Sequence, residues 1–284
     1  CCTERKLNGS YGRFDELILK EKQADDYFLL VGPPGTGKTS CALRYMVEEA
    51  LTEPDASLLL LSYTNRAVDE ICSMLVDSGI AAQTPFIRIG NELSCDKRFL
   101  PYLLKNSLAD CPKLTDIKQK IADTRIFVGT TTAINNRLHL FNLKHFQLAI
   151  IDEASQILEP DLTGILSARC GQANAIDKFV LIGDYKQLPA IAQQSAEEAA
   201  VNDPILQQIG LYDCRNSLFE RLYKQCADTH RSILHKQGRM HPAVSEFPNQ
   251  AFYYYEQLEP VPLPHQEAVS YTHLRAHETK ANLV

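Results

Sequence analysis

Several features are missing from this sequence, and each absence narrows what the chain can be. No apolar run approaches the roughly 20 residues that cross a bilayer; stretches such as residues 58–61 suit short buried strands. No basic-then-apolar leader opens the chain, which begins at Cys1, so the N-terminus reads as cut rather than processed. The nine cysteines contain no C-x-x-C pair. Free thiols in a reducing cytoplasm, with no zinc site and no disulfides, are therefore expected. There is no internal repeat and no low-complexity linker. A basic excess is also missing, since the net charge is −6. That weakens a polyanion partner without excluding one, because a nucleic-acid footprint is local. At 284 residues and 45% hydrophobic, the chain is long enough to bury one large or two ordinary cores.

What is present begins at residues 32–39, Gly32-Pro33-Pro34-Gly35-Thr36-Gly37-Lys38-Thr39. They fill every fixed place of the G-x-x-x-x-G-K-S/T phosphate loop, after an apolar run and before a helical segment. Glycines let successive backbone N–H groups turn inward as a nest. The helix that follows adds partial positive charge, and Lys38 adds a full one. ATP is the expected ligand, with Thr39 on Mg²⁺. The bland alternative is a Gly/Pro surface turn, which the strand-loop-helix context argues against.

Taken in order, the chain predicts a helix over 14–22, a strand over 27–31, a helix over 38–51 and a strand over 57–62. A helix over 66–76 would place Ala67, Ile71 and Leu75 on one face. Further strands are expected over 86–89, 125–128, 146–151 and 178–182, with a polar two-helix insertion over 92–123 broken by Pro101 and Pro112. Strands alternating with helices, each strand ending in polar or acidic residues, imply an α/β fold with a doubly wound, mostly parallel sheet.

Asp152 and Glu153 directly follow a buried strand, where an acidic pair completes a phosphate-loop site. Asp152 is expected to hold the magnesium and Glu153 to deprotonate the attacking water. The alternative role is a helix N-cap. Residues 151–156 read I-D-E-A-S-Q, 183–189 read G-D-Y-K-Q-L-P, and 237–242 read Q-G-R-M-H-P, followed by Phe247-Pro248-Asn249 and Phe252-Tyr253. In this order after the phosphate loop, over about residues 27–258, the blocks resemble superfamily 1 helicases of the 5′-to-3′ (1B) branch, the group of the nonsense-mediated-decay and Okazaki-fragment-processing helicases.

The resemblance implies a RecA-like P-loop NTPase. Residues 62–69, S-Y-T-N-R-A-V-D, look like motif Ia, and 129–132 like motif Ic, which suggests Thr64, Asn65 and Thr131 as contacts to the sugar–phosphate backbone of single-stranded DNA or RNA. Thr64 or Asn65 could equally cap the helix that follows. Gln187 matches the γ-phosphate-sensing glutamine of motif III, with Asp184 positioning it or a water. Arg239 matches the motif IV arginine, implying charge stabilisation at the transferring phosphoryl group. His241 is read as packing beside Arg239 rather than as a metal ligand.

The sequence also departs from the family. Gly238 stands where tyrosine is usual, and Ala190 replaces a second proline. No Q-motif glutamine lies near Ser10, and Gln23 is too close to the loop. Nothing after residue 258 resembles motifs V and VI of a second RecA-like domain. The expected layout is a lead-in over 1–26, the ATPase domain over 27–258, a proline-rich end over 259–268 and a non-native tail over 269–284. The expected activity is that of an ATP-dependent helicase domain which, on its own, binds nucleotide but unwinds nothing; protein partners are not indicated. The alternative is a P-loop ATPase or switch that remodels a protein without meeting nucleic acid.

Overall fold

Short apolar runs bounded by polar turns become the strands of one sheet. The computed structural model describes residues 5–238 and 242–261. Its strands are β1 Tyr27–Val31, β2 Leu58–Ser62, β3 Phe86–Ile89, β4 Ile126–Thr130, β5 Phe146–Ile151, β6 Ile176–Gly183 and β7 Arg231–Ile233. They lie in the order β3-β4-β2-β5-β6-β1-β7. The pairs β3·β4, β4·β2, β2·β5, β5·β6 and β6·β1 are parallel. Parallel sheets are covered on both faces, so their strands need apolar residues at every position rather than at alternate ones. The leucines of β2 are all fully buried, each contributing about 1.5–3 kcal/mol of transfer free energy.

The covering helices include α1 Asp15–Gln23, α2 Arg44–Leu51, α3 Asn65–Asp77, α4 Thr131–Asn135, α5 Glu159–Leu166 and α6 Leu218–Gln225. Strand and helix alternate, as the pattern of residues predicts, and the fold is a RecA-like α/β sheet. Because these strands run in parallel, β2, β4, β5 and β6 deliver their carboxyl ends to one edge, where ligands bind in open α/β sheets. No helix among the described residues is long and apolar enough to cross a membrane.

Two local features differ from the sequence expectation. The helix expected over 38–51 opens with a wide π-helical turn, Lys38–Leu43, before α2 begins. The 92–123 insertion is more broken than a helix pair: two 3-10 segments, Glu92–Ser94 and Lys97–Tyr102, precede the α-helices Leu104–Ser107 and Leu114–Asp123. Pro101 falls inside the second 3-10 segment, where no long α ladder is lost.

Residues 5–14 are fastened to the far end of α2 by one carboxylate. Glu49 accepts from the amides of Asn8 (2.9 Å) and Gly9 (3.0 Å), the Tyr11 hydroxyl (2.8 Å) and the Lys22 ammonium (2.6 Å). Burial alone would raise the Glu49 carboxyl, but Lys22, the two amides and Tyr11 outweigh it and hold it at about 2.

The chain divides into two units where the sequence drew one domain over 27–258. One comprises residues 1–31 and 39–232, and the other 32–38 and 233–284. Within the second, Lys236–Gln237 pairs in parallel with Glu259–Pro260. The Asn249 side chain both donates to the Leu258 carbonyl (3.0 Å) and accepts from its amide (2.8 Å), bracing the segment after helix Pro242–Ala251.

Candidate functional site

β5 is carried one residue past its end by the Asp152 amide, which donates to the Leu61 carbonyl (2.8 Å). This fixes where the Asp152 side chain leaves the sheet. Its Oδ2 accepts from the Thr39 hydroxyl (2.6 Å), and its Oδ1 from the Glu153 amide (2.9 Å). The phosphate-loop threonine and the strand-end aspartate, 113 residues apart in sequence, are thus in direct contact. Two hard oxygen donors at this spacing suit a divalent cation such as Mg²⁺.

Glu153 has φ of 55° and ψ of 32°, the left-handed region. For a non-glycine residue this conformation costs about 1–3 kcal/mol and persists only where the surroundings impose it. It turns the chain sharply off β5 into the 3-10 turn Ala154–Gln156. A second acidic turn follows β6. Asp184, 1% exposed, accepts through Oδ1 from the Lys186 amide (3.0 Å) and through Oδ2 from Gln187 Nε2 (2.7 Å). The Gln187 contact is one of the two roles expected of Asp184.

In the other unit, the phosphate loop has its own bracing. Gly35 and Gly37 adopt φ of 77° and 83°, which only glycine takes without strain. The buried Thr36 hydroxyl donates to the Pro33 carbonyl (2.7 Å), and the Lys38 stem folds back over Gly32, where a side chain would displace it. The Gly35 carbonyl accepts from the Gly238 amide (2.9 Å), joining the loop to the Q-G-R-M-H-P block. Arg239 and His241 lie outside the described residues.

A polar groove of 610 Å³ runs along the carboxyl ends of β2, β3 and β4, lined by Tyr63, Thr64, Asn65, Gly90, Asn91, Ser94, Thr130, Thr132, Asn136 and Arg137 among others. Thr64 serves as the α3 cap, its Oγ1 accepting from the Ala67 amide (3.1 Å), so the capping role is real; its O–H is still able to donate. Asn65, the first residue of α3, lines the groove beside it. Thr131, expected as a strand contact, is 1% exposed and is not among the residues lining the groove. β4 extends through Thr130, which caps α4 by accepting from the Ala133 amide (3.0 Å), and this turns Thr131 inward while Thr130 and Thr132 face the groove.

Beneath the groove lies a pair that sequence reasoning missed. Arg88 of β3 is fully buried, and its Nη2 stands 2.8 Å from Asp69 Oδ1 of α3. The donor is not aligned on that oxygen, so Asp69 Oδ1 and Arg88 Nε and Nη1 are the buried side-chain atoms without a hydrogen-bond partner among the described residues. Arg88 Nη2 also donates to the Ser94 carbonyl (3.3 Å), and Asp69 Oδ2 accepts from the Asp96 amide (3.3 Å). Burial pushes the Asp69 carboxyl up, with Arg88 opposing, and pushes the neighbouring Cys72 thiol up to about 12. The available signal was a single charge inside the otherwise apolar run F-I-R-I, with Asp69 closing the T-N-R-A-V-D block.

Two family models, both described as an AAA domain, match the chain, one over residues 15–126 and 113–195 and the other over 214–282. The chain belongs to the AAA-domain family. It is a superfamily 1 member of the 1B branch, as its motif blocks suggest. Similar proteins include the DNA replication ATP-dependent helicase/nuclease JHS1 of Arabidopsis thaliana, 34% identical over 251 residues, and the DNA replication ATP-dependent helicase/nuclease DNA2 of Saccharomyces cerevisiae, 33% identical over 181 residues. These matches cover 88% and 64% of this chain but only 16% and 11% of those proteins. A solved structure of two coordinating Pif1 helicases at forked dsDNA superposes with a TM-score of 0.44 at 16% identity, covering 88% of this chain and 49% of that one.

Proposed function

We propose that this AAA domain hydrolyses ATP within a helicase that moves on single-stranded DNA or RNA. The observation that carries the reading is the 2.6 Å contact between the Thr39 hydroxyl and the Asp152 carboxylate. It brings together, across 113 residues of sequence, the two groups that would ligate magnesium in a P-loop site. Residues 32–39 would cradle the triphosphate, Lys38 would neutralise its charge, and Thr39 with Asp152 would hold Mg²⁺. When bound, that ion would draw charge from the phosphate oxygens.

Glu153, set off the strand by its turned backbone, takes a proton from water as the water oxygen attacks the terminal phosphorus and ADP leaves. Gln187, held by Asp184, lies in the segment that would sense that phosphate. Arg239 is assigned to the developing charge by resemblance alone. The hydroxyls and amides of Thr64, Asn65, Thr130 and Thr132 suit phosphodiester contacts that read no sequence. The seven described cysteines are all free, which suits the reducing cytoplasm expected from the sequence.

The test is ATP turnover by the intact protein with and without a single strand, together with strand affinity measured across salt. Stimulated turnover, and an affinity that falls steeply as salt rises, are expected. ATP turnover with no strand binding at any salt would leave a protein-remodelling ATPase instead.

A further inference from the structure

Ser155 has no part in the chemistry proposed above, yet it is bonded between the two turns that carry it. It lies two residues after Glu153 in the 3-10 turn Ala154–Gln156, and its buried Oγ accepts from the Asp184 backbone amide (3.1 Å). That amide belongs to the residue whose carboxylate grips both Gln187 Nε2 (2.7 Å) and the Lys186 amide (3.0 Å). The fit is steric as well as polar. A Cβ on Gly183 would come within 2.9 Å of the Ser155 backbone nitrogen and 3.2 Å of its Cβ and Oγ, so the two turns meet where only glycine fits.

A short continuous path therefore runs from the Thr39 hydroxyl through Asp152 and Glu153 to Ser155, and from Ser155 through Asp184 to Gln187. Its first half holds the residue assigned as base, and its second half the residue assigned as sensor. Each link is either covalent or a hydrogen bond to a buried group, and a buried amide left without its acceptor is costly. Moving one turn must strain the other.

Resting on the ATPase reading, we propose that Ser155 is a positioning residue that locks the Glu153 turn to the Gln187 loop, so that base and sensor shift together. It touches neither nucleotide nor water itself. In the intact protein, Ser155→Ala should lower kcat about tenfold while the KM for ATP stays within about twofold, the pattern of an interaction that acts on the transition state. Amide hydrogens in residues 183–187 should exchange faster, with those in β1 unchanged. In a Gln187→Ala background the same substitution should cost nothing more, since the partner it positions is gone.

Should Ser155→Ala lose structure generally, Gly183→Ala carries the same test. It keeps every hydrogen-bonding group and only forces the turns apart, and it should reproduce the kcat loss. An unchanged kcat in both variants, or losses from Ser155→Ala and Gln187→Ala that simply multiply, would overturn the coupling and leave the ATPase reading standing. A wild-type protein that hydrolyses no ATP would overturn both.

Discussion

The two turns after β5 and β6 are braced differently from the groove beyond β2, β3 and β4. At the turns, Asp152 and Asp184 each spend both carboxylate oxygens on hydrogen bonds within the protein. Under the groove, the fully buried Arg88 keeps two nitrogens without a hydrogen-bond partner among the described residues. The first arrangement suits a site that must hold reacting groups to a fraction of an ångström before substrate arrives. The second ties the 91–96 segment to α3 from below by charge more than by aligned hydrogen bonds. Such a wall would suit the ligand proposed for the groove, one gripped anywhere along its backbone. On the proposed function, the turns would serve the chemistry and the groove the strand.

The largest effect should come from the turns. Glu153→Gln is expected to cut ATP turnover by about a thousandfold, within the range for a lost general base, while leaving ATP affinity nearly intact. Single-turnover hydrolysis and nucleotide titration together check this, and undiminished turnover would remove Glu153 from the base role. Next comes the pair under the groove. Arg88→Met strands the Asp69 carboxylate and should cost about 3–5 kcal/mol of stability in denaturant unfolding, with Arg88→Met/Asp69→Leu costing clearly less. If the double variant is as unstable as the single, the pair is not the weakly matched element described.

Glu49 offers a control remote from both regions. Its folded pKa of about 2 lies below the ordinary 4.5, so its contribution is present above pH 4.5 and is lost as pH falls toward 2. The full contribution is on the order of 3 kcal/mol, and Glu49→Gln should flatten the acid limb of the stability curve by that amount. The smallest change is Thr64→Ala, expected to cost about 1 kcal/mol of stability through the lost cap and to weaken strand binding a few-fold. A loss of strand affinity without any loss of stability would separate the two roles of this residue.

The fold was readable because buried parallel strands need largely apolar runs, and β1, β2, β3 and β5 supply them at the expected places despite Arg88 in β3 and Gln147 in β5. The runs of β2 and β5 end in Ser62 and Asp152 at the sheet edge. The groove was legible only to within one residue. Thr130, Thr131 and Thr132 are chemically alike, and which of them points inward depends on β4 continuing through Thr130. The Ser155–Asp184 bond was not legible at all, because it joins a side chain to a backbone amide 29 positions away and leaves no pattern of residue types. The Glu49 cluster was hidden for the same reason: two of its four partners are backbone amides. The split of the 27–258 span follows contacts such as that between Gly35 of the phosphate loop and Gly238, which no local pattern announces.

Glu153 holds a left-handed backbone that glycine adopts freely and that a glutamate side chain disfavours. Glycine there would relax the turn, by about 1 kcal/mol or more, and would erase the carboxylate in the same step. A more relaxed turn and the carboxylate proposed as the base are therefore alternatives at this position, and the chain has the carboxylate.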